Sequence, residues 1–304
     1  MGLESKIFIY EKEPKSPIEN LAVNNLFYKL VSEGRYDAFV RVYHHKPGII
    51  LANEESIEDL DYEFCKKNKL EVTTRPTAGS AVLVTPEDII CYSAIFNLPK
   101  LGMEKDSTKL YKTIVYPLTE RLKNLGVPVS LEGMWYLRAK INGDRLPFAG
   151  HAVRFFGNGD IYQFDGLANL KKPPLDLIKK AIKLRKLYDY NGQRYILVRN
   201  KYYPLNMINN GFDIKNAKLI RDEENELKKM IGLKELNIDK DFFAEILFNV
   251  FDNVCKGLLK LDSLYISEAD FEENKKLLLN KKFGNLKGLG HCFVDMNEEE
   301  PKLR

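Results

Sequence analysis

Arg75-Pro76-Thr77-Ala78-Gly79-Ser80-Ala81-Val82-Leu83 is the stretch on which the fold turns. Val72 to Arg75 and Ala81 to Val84 read as short apolar strands, and Ala78-Gly79 breaks the run between them. Small residues in such a loop let backbone N–H groups come close to a bound oxygen, because a Cβ on every residue would hold it off. Arg75 adds a planar fork that pairs with carboxylate or phosphate.

Working outward, Ile89 to Asn97 is a long apolar strand separated from the loop by Pro86-Glu87. Upstream, Lys6 to Tyr10 reads as a strand, and Ile18 to Val31 has apolar residues at helical spacing. Ala38 to Tyr43 and Gly48 to Ala52 are strands around the turn Lys46-Pro47-Gly48, and Ser56 to Asn68 reads as a helix with Ser56 as N-cap. Downstream, Leu110 to Gly126 is a helix that ends before Pro128. Met134 to Ile141 and His151 to Phe156 are strands on either side of Asn142-Gly143, with a loop running on to Gly150, and Ile161 to Leu167 returns as another strand. This order predicts an α/β (α+β) domain with a mixed, mostly antiparallel sheet flanked by helices.

From Pro173 the pattern changes. Leu175 to Tyr188 reads as a basic helix, Arg194 to Arg199 and Ile214 to Ile220 as strands, and Asp222 to Met230, Asp241 to Leu261 and Ser267 to Leu279 as helices. The expected organisation is a domain over 1–215, carrying an insert at about 171–212, and a small helical C-terminal module over 216–304.

The chain of 304 residues is 44% hydrophobic and 30% charged, the mix of a soluble protein that buries a core. Its 47 basic and 43 acidic residues leave a net charge of +4, which gives no reason to expect nucleic acid as a partner. Lysines gather at Lys171-Lys172, Lys179-Lys180 and Lys183 to Lys186, read as a solvated face with an electrostatic docking patch as the other reading. No apolar run is long enough to span a bilayer, and Met1 to Tyr10 lacks the build of a signal peptide, so no membrane association and a cytoplasmic location are expected. The four cysteines, at 65, 91, 255 and 292, form no Cys-x-x-Cys pair. His44 and His45 are adjacent on a strand and point to opposite faces, so no metal site is expected from the histidines.

Three segments, in order, resemble the lipoate-protein ligase and octanoyltransferase family, of the biotin/lipoate A/B ligase superfamily. Asn20-Leu21-Ala22 with Phe39-Val40-Arg41-Val42-Tyr43 and Pro47-Gly48-Ile49-Ile50 is similar to its Asn-Leu-Ala helix and Arg-Leu-Tyr strand. Arg75 to Leu83 is similar to its Arg-Arg-x-Ser-Gly-Gly-Gly-Ala-Val loop, and Trp135 to Arg145 with Phe148-Ala149-Gly150-His151-Ala152 to its Asn-Gly hairpin. Glu272 to Phe283 is a weaker match to the helix closing the family's accessory domain. The resemblance implies the class II biotin/lipoate ligase-like catalytic fold and transfer of a lipoyl or octanoyl group to a lysine of a lipoyl-carrier domain. It also implies ATP and magnesium in the ligase branch, and an acyl or adenylate site at Arg41, Arg75, Thr77, Ala78, Gly79, Ser80, Ala81, Asn142, Arg145, Gly150 and Ala152. The Gly-Arg-Gly-Arg pattern of biotin-protein ligases is missing.

The match departs at the chemistry. The family's hairpin lysine falls on Pro147 or Leu146, the transferase cysteine on Val129, and the first loop arginine on Thr74. Substitute catalysts are Lys140, His151 and Cys91, each with a plainer reading as a solvated strand lysine, a structural histidine and core filling. Arg145 keeps a charge near the lost position, and Asp165 stands where the family has His-His-Gly, with a turn role for Asp165-Gly166 as the alternative. Two functions follow. One is an acyltransferase or lipoate ligase, favoured because the loop keeps its small residues. The other is a catalytically degenerate homologue that binds an acyl group or a carrier domain, or partners an active subunit.

Overall fold

The computed structural model describes residues 6–52, 55, 57–77, 79–132, 136–190, 193–198, 201–204, 218–255 and 260–261. In chain order the first elements are β1 (Lys6–Tyr10), α1 (Pro17–Ser32), β2 (Ala38–Tyr43), β3 (Gly48–Leu51), α2 (Tyr62–Lys67), β4 (Glu71–Thr74), β5 (Val82–Val84) and β6 (Ile89–Asn97). There follow α3 (Leu98–Leu101), α4 (Ser107–Asn124), β7 (Val129–Glu132), β8 (Tyr136–Ile141), β9 (Asp144–Phe156), β10 (Ile161–Asn169) and α5 (Leu175–Ala181). The last are β11 (Lys186–Tyr190), β12 (Gln193–Val198), β13 (Lys201–Pro204), β14 (Lys218–Asp222), α6 (Glu223–Lys229), α7 (Lys240–Val254) and β15 (Lys260–Leu261).

The central sheet runs β15-β1-β2-β6-β10-β9-β8-β7. It is antiparallel except where β1 lies parallel to β2 and β15, the mixed and mostly antiparallel sheet expected. Two smaller sheets accompany it, β4-β3-β5 and β13-β12-β11-β14. Strand β2 is buried on both faces, which is why it reads as an unbroken apolar run interrupted only by Arg41.

The largest core lies between one face of the central sheet and helices α4 and α7, where Tyr92, Phe96 and Phe164 meet Leu118, Phe243, Leu247 and Phe251. Each fully buried phenylalanine contributes on the order of 2–3 kcal/mol relative to exposure. The opposite face is covered by α1 at one end, through Val23, Phe27 and Val31 against Phe39 and Ile95. At the other end Tyr43, Ile89 and Cys91 pack against Ile50 and Val84 of the three-stranded sheet. Helix α1 is set by a capping box, Ser16 with Glu19, and by Pro17 in its first turn.

Several sequence expectations change. The helix expected from Ser56 is a short 3-10 turn, Ile57–Asp59, followed by α2, whose N-cap is Asp61 accepting from the Phe64 N–H. The loop expected from Asn142 to Gly150 is a two-residue turn. Asn142 and Gly143 both have positive φ (51° and 89°), as a hairpin reversal of this kind requires, and β9 starts at once. The basic helix expected over Leu175 to Tyr188 stops at Ala181, and Leu187-Tyr188 joins β11. Across position 215, β14 pairs with β11, and α7 belongs to the main core, so 218–255 is continuous with what precedes it. The expected helix over Ser267 to Leu279 and the match at Glu272 to Phe283 lie outside the described residues.

Candidate active site

Period-two alternation sorts the central strands into two sets of side chains. Arg41, Ser93, Asp165 and Ala152 stand directly opposite one another across β2, β6, β10 and β9, so they share a face. The neighbouring row on that face is Tyr43, Cys91, Leu167, Gly150 and Tyr136. His151, between Gly150 and Ala152, points the other way, into the core under α4.

The loop after β4 folds over the first face. Arg154 Nη1 donates to the Pro76 carbonyl at 2.7 Å, and Thr77 Oγ1 donates to Asp165 Oδ2 at 3.4 Å. The base of the loop, at Pro76 and Thr77, is therefore held against the sheet face that carries Gly150 and Ala152. Arg75, Ser80, Ala81, Tyr136, Gly150, Ala152, Asp165 and Leu167 all keep part of their surface accessible, while Thr77 is buried.

Gly79 has φ +126°, a conformation that L side chains rarely adopt, and an added Cβ would sit 2.8 Å from Arg75 Nη2. Glycine here lets the Arg75 guanidinium fold under its own loop, donating to the Ile50 carbonyl at 3.3 Å and the Ser80 carbonyl at 3.0 Å. From the far side, Arg185 Nη2 donates to the Gly79 carbonyl at 3.1 Å and pairs with Glu55 at 2.7 Å and Glu223 at 3.5 Å. Ser80 Oγ donates to Glu223 Oε1 at 2.6 Å, and Glu223 Oε2 accepts from the Arg185 N–H at 2.7 Å. Burial pushes the Glu55 carboxyl above its ordinary value despite Arg185 beside it. Sequence reading missed this clamp, because its members lie on three separated segments and none sits in a recognisable motif.

Asp165 is in the middle of β10, paired on both sides, and not in a turn. Its carboxylate accepts from Ser93 Oγ at 2.6 Å, from Thr77, and from Gln163 Nε2 at 3.0 and 2.9 Å. Burial raises its pKa above the usual aspartate value, against those hydrogen bonds and the field of Arg75, which lower it.

The three substitute catalysts are not brought together. His151 is 8% exposed, with Tyr92 Oη 2.7 Å from Nε2 and Tyr111 Oη 3.3 Å from Nδ1, and burial pushes its pKa down to about 3. A neutral imidazole held by two tyrosines on the wrong face of the sheet corrects its reading as a general base. Cys91 does share the cleft face, but it packs with Tyr43, Ile50, Val84 and Ile89, and burial and then Asp165 push its thiol up to about 12. A thiol so enclosed favours its protonated form, which speaks against a nucleophile's role. Lys140 is exposed, opposite Arg145 near the hairpin tip, with Asn142 and Arg145 also in solvent. Those three stand roughly 15–25 Å along the strands from Gly150.

Arg41 is also corrected. It is fully buried, donates to the Asn20 carbonyl and Asn24 Oδ1 at 3.1 Å each, pairs closely with Glu11 and Asn20 Oδ1, and lies over the Tyr43 ring at 4.1 Å. A charge in a fully buried strand demands such compensation, and this arginine ties α1 to the sheet. Pro147 is buried, its carbonyl accepting from the Ile231 N–H at 3.0 Å, and its cross-strand partner is Arg138. Ala78 lies outside the described residues. Among the described residues no group of three or more His, Cys, Asp or Glu is placed to hold a metal ion, and no helix is long and apolar enough to cross a membrane.

Residues 16–193 match the lipoyl protein ligase A/B catalytic domain family. The chain belongs to that family. It is 30% identical over 121 residues to the octanoyltransferase LipM of Brevibacillus brevis, covering 39% of this chain and 43% of that one. LipM of Staphylococcus epidermidis is 29% identical over 114 residues, covering 37% and 41%. The matched stretch thus spans about two-fifths of these relatives' length.

The fold is similar to a lipoate protein ligase of Thermoplasma acidophilum, described as bi-partite and studied with its E2 lipoyl domain, with a TM-score of 0.64 and 14% identity over 93% of this chain and 95% of that one. It is also similar to a lipoate-protein ligase A bound with ATP, with a TM-score of 0.62 and 15% identity over 93% and 97%.

Proposed function

We propose that this protein transfers an octanoyl or lipoyl group to a lysine of a lipoyl-carrier domain. The observation that supports the reading is that the loop carrying Gly79 is tied, through Pro76 and Thr77, to the sheet face that carries Gly150 and Ala152: small residues on both leave room for backbone N–H groups to meet an acyl carbonyl. Membership of the ligase family and the likeness to two octanoyltransferases support the same chemistry.

A nucleotide, if ATP is used, would meet Arg75, Arg185 and the Gly79 backbone, cations and a glycine cradle that suit phosphate. Both cations are bonded to loop carbonyls, so a phosphate would compete with those bonds. ATP would supply activation of a free carboxylate. An acyl donor that is already a thioester needs none.

Three of the lysines near the insert have acidic partners. Lys171 pairs with Asp88, Lys179 with Glu224 and Lys186 with Asp222, as a solvated face would.

The test mixes the protein with an apo lipoyl domain and one of two donors, octanoyl carrier protein or lipoate with ATP and magnesium, and follows the mass of the lipoyl domain. Acylation in one mixture is expected, and its identity assigns the donor. An unchanged mass in both overturns the proposal, and tight carrier binding without a mass gain returns the binding-partner reading.

A further inference from the structure

A carboxylate enclosed by protein is ordinarily matched by a cation, because moving it out of water costs several kcal/mol. Asp165 feels the field of Arg75 but has no cation in contact with it. Its hydrogen-bond partners, Ser93, Gln163 and Thr77, are all neutral donors, and among the described residues no lysine, arginine or histidine forms an ion pair with it. The charged groups around it are committed elsewhere. Arg75 of the loop donates to Ile50 and Ser80, Arg154 of β9 to Pro76, and Arg41 of β2 to Asn20, Asn24 and Glu11. The remaining titratable neighbours, Tyr43 of β2 and Cys91 of β6, are both held neutral.

Asp165 nevertheless keeps part of its surface accessible, as do Ala152, directly opposite it, and Gly150, in the next row of the same face. A carboxylate held by neutral donors alone, among part-exposed small residues of one sheet face, can take a positive charge or a proton from a group that reaches it.

We propose that Asp165 receives the proton of the attacking amine: the lysine ammonium of the incoming carrier docks against this carboxylate and is deprotonated by it. The inference rests on the acyl-transfer reading above and names the group that makes its nucleophile. In the step, one N–H bond of the ammonium breaks and an O–H bond forms on Asp165. The freed nitrogen pair then attacks the acyl carbonyl carbon, the amide N–C bond forms, and the bond to the donor's leaving group breaks with its electron pair. The second proton shed by nitrogen goes to the departing group or to water. A carboxyl whose pKa lies above the ordinary range is a better acceptor for this purpose than a normal aspartate.

The test compares the full chain with Asp165→Asn, with the donor found above, in single-turnover transfer to the carrier lysine and to hydroxylamine, whose nitrogen is already neutral at pH 7. Transfer to the carrier lysine is expected to fall about 100-fold, the usual worth of a general base, and release of acyl hydroxamate to stay within about twofold. Equal carrier rates for the two proteins overturn the proposal while leaving the acyl-transfer reading in place, and equal losses with both acceptors reduce Asp165 to a structural part. A wild-type protein that transfers to neither acceptor sinks both readings.

Gln163→Leu supplies a second check, independent of whether Asp165→Asn folds. It removes hydrogen bonds that favour the charged carboxylate, so the acid limb of the carrier-transfer pH profile is expected to move up by about half a unit or more. An unmoved limb counts against Asp165 as the titrating base.

Discussion

On one face of strands β6, β10 and β9 the His151 imidazole is enclosed by Tyr92, Tyr111 and Phe164, with a tyrosine hydroxyl at each ring nitrogen. On the other face, one residue along the strand register, Asp165 is enclosed by Ser93, Gln163 and Thr77 and keeps part of its surface accessible. Both faces bury a titratable group. The first group can shed its charge, becoming neutral inside a finished aromatic core, whereas the second is a carboxylate held by donors that suit its charged form. The difference separates scaffold from site: a buried polar group whose needs are all met from within the core steadies the fold, and one that faces an opening without a counter-ion awaits something from outside.

The contrast is open to direct attack. Gly166 stands opposite both Tyr92 and His151, and a Cβ there would lie 2.1 Å from the Tyr92 ring. Gly166→Val should therefore lower the unfolding free energy by about 3 kcal/mol or more, measured by denaturant titration. A stability close to that of the wild-type chain would show that the aromatic side is not packed as described.

His151→Phe keeps the bulk of the ring and strands two tyrosine hydroxyls, so a loss of about 2 kcal/mol is expected, with acyl transfer per folded molecule within about twofold. Normal stability with abolished transfer would reverse the assignment of the two faces.

The same pair should differ in acid. His151 has its folded pKa pushed down to about 3 from an ordinary 6.5, so between those values the unfolded chain takes up a proton that the folded chain refuses. Stability carried by this group is complete above 6.5 and falls as the pH drops toward 3, by up to about 1.4 kcal/mol per pH unit. Asp165 and Glu55, whose pKa values are raised, act with the opposite sign within that window, and His45, also near 3, acts with the same sign. Subtracting the His151→Phe melting curve against pH isolates the histidine. Parallel curves for the two proteins would contradict its burial as a neutral ring.

The smallest effects belong to the residues that look most reactive in the sequence. Cys91→Ala and Lys140→Ala should each leave the transfer rate within about twofold, read in the same carrier assay. A tenfold loss from either would restore a thiol or amine chemistry that the geometry argues against.

Strand periodicity made much of this visible from the sequence. The alternation through Ile89 to Asn97, the reversal at Asn142-Gly143 and the small residues at 78–80 suffice for a mixed sheet with a binding loop, and the family resemblance rests on the same residues. What stayed hidden was long-range. Asp165-Gly166 carries the local chemistry of a turn, yet pairing with Ser93 and Tyr92 on one side and with Ala152 and His151 on the other holds it extended. The bulge beside Arg138 and the pairing of Leu187-Tyr188 with Arg221 and Leu219 of β14 likewise leave no trace in nearest-neighbour patterns. His151 and Cys91 looked alike as candidates because each sits beside a small or aromatic residue. The register sends them to opposite sides of the sheet.

The clamp formed by Arg185, Glu55 and Glu223 has a practical corollary for anyone shortening the chain. The stretch shared with the family stops at 193, yet the carboxylate that holds Ser80 comes from residue 223, and β14, which completes the small four-stranded sheet, spans Lys218–Asp222. A fragment cut at 193, or at 215, would keep the three family segments up to Ala152 and discard the strut that props the glycine loop. The smallest portion fit for expression therefore reaches at least through α7, to Val254.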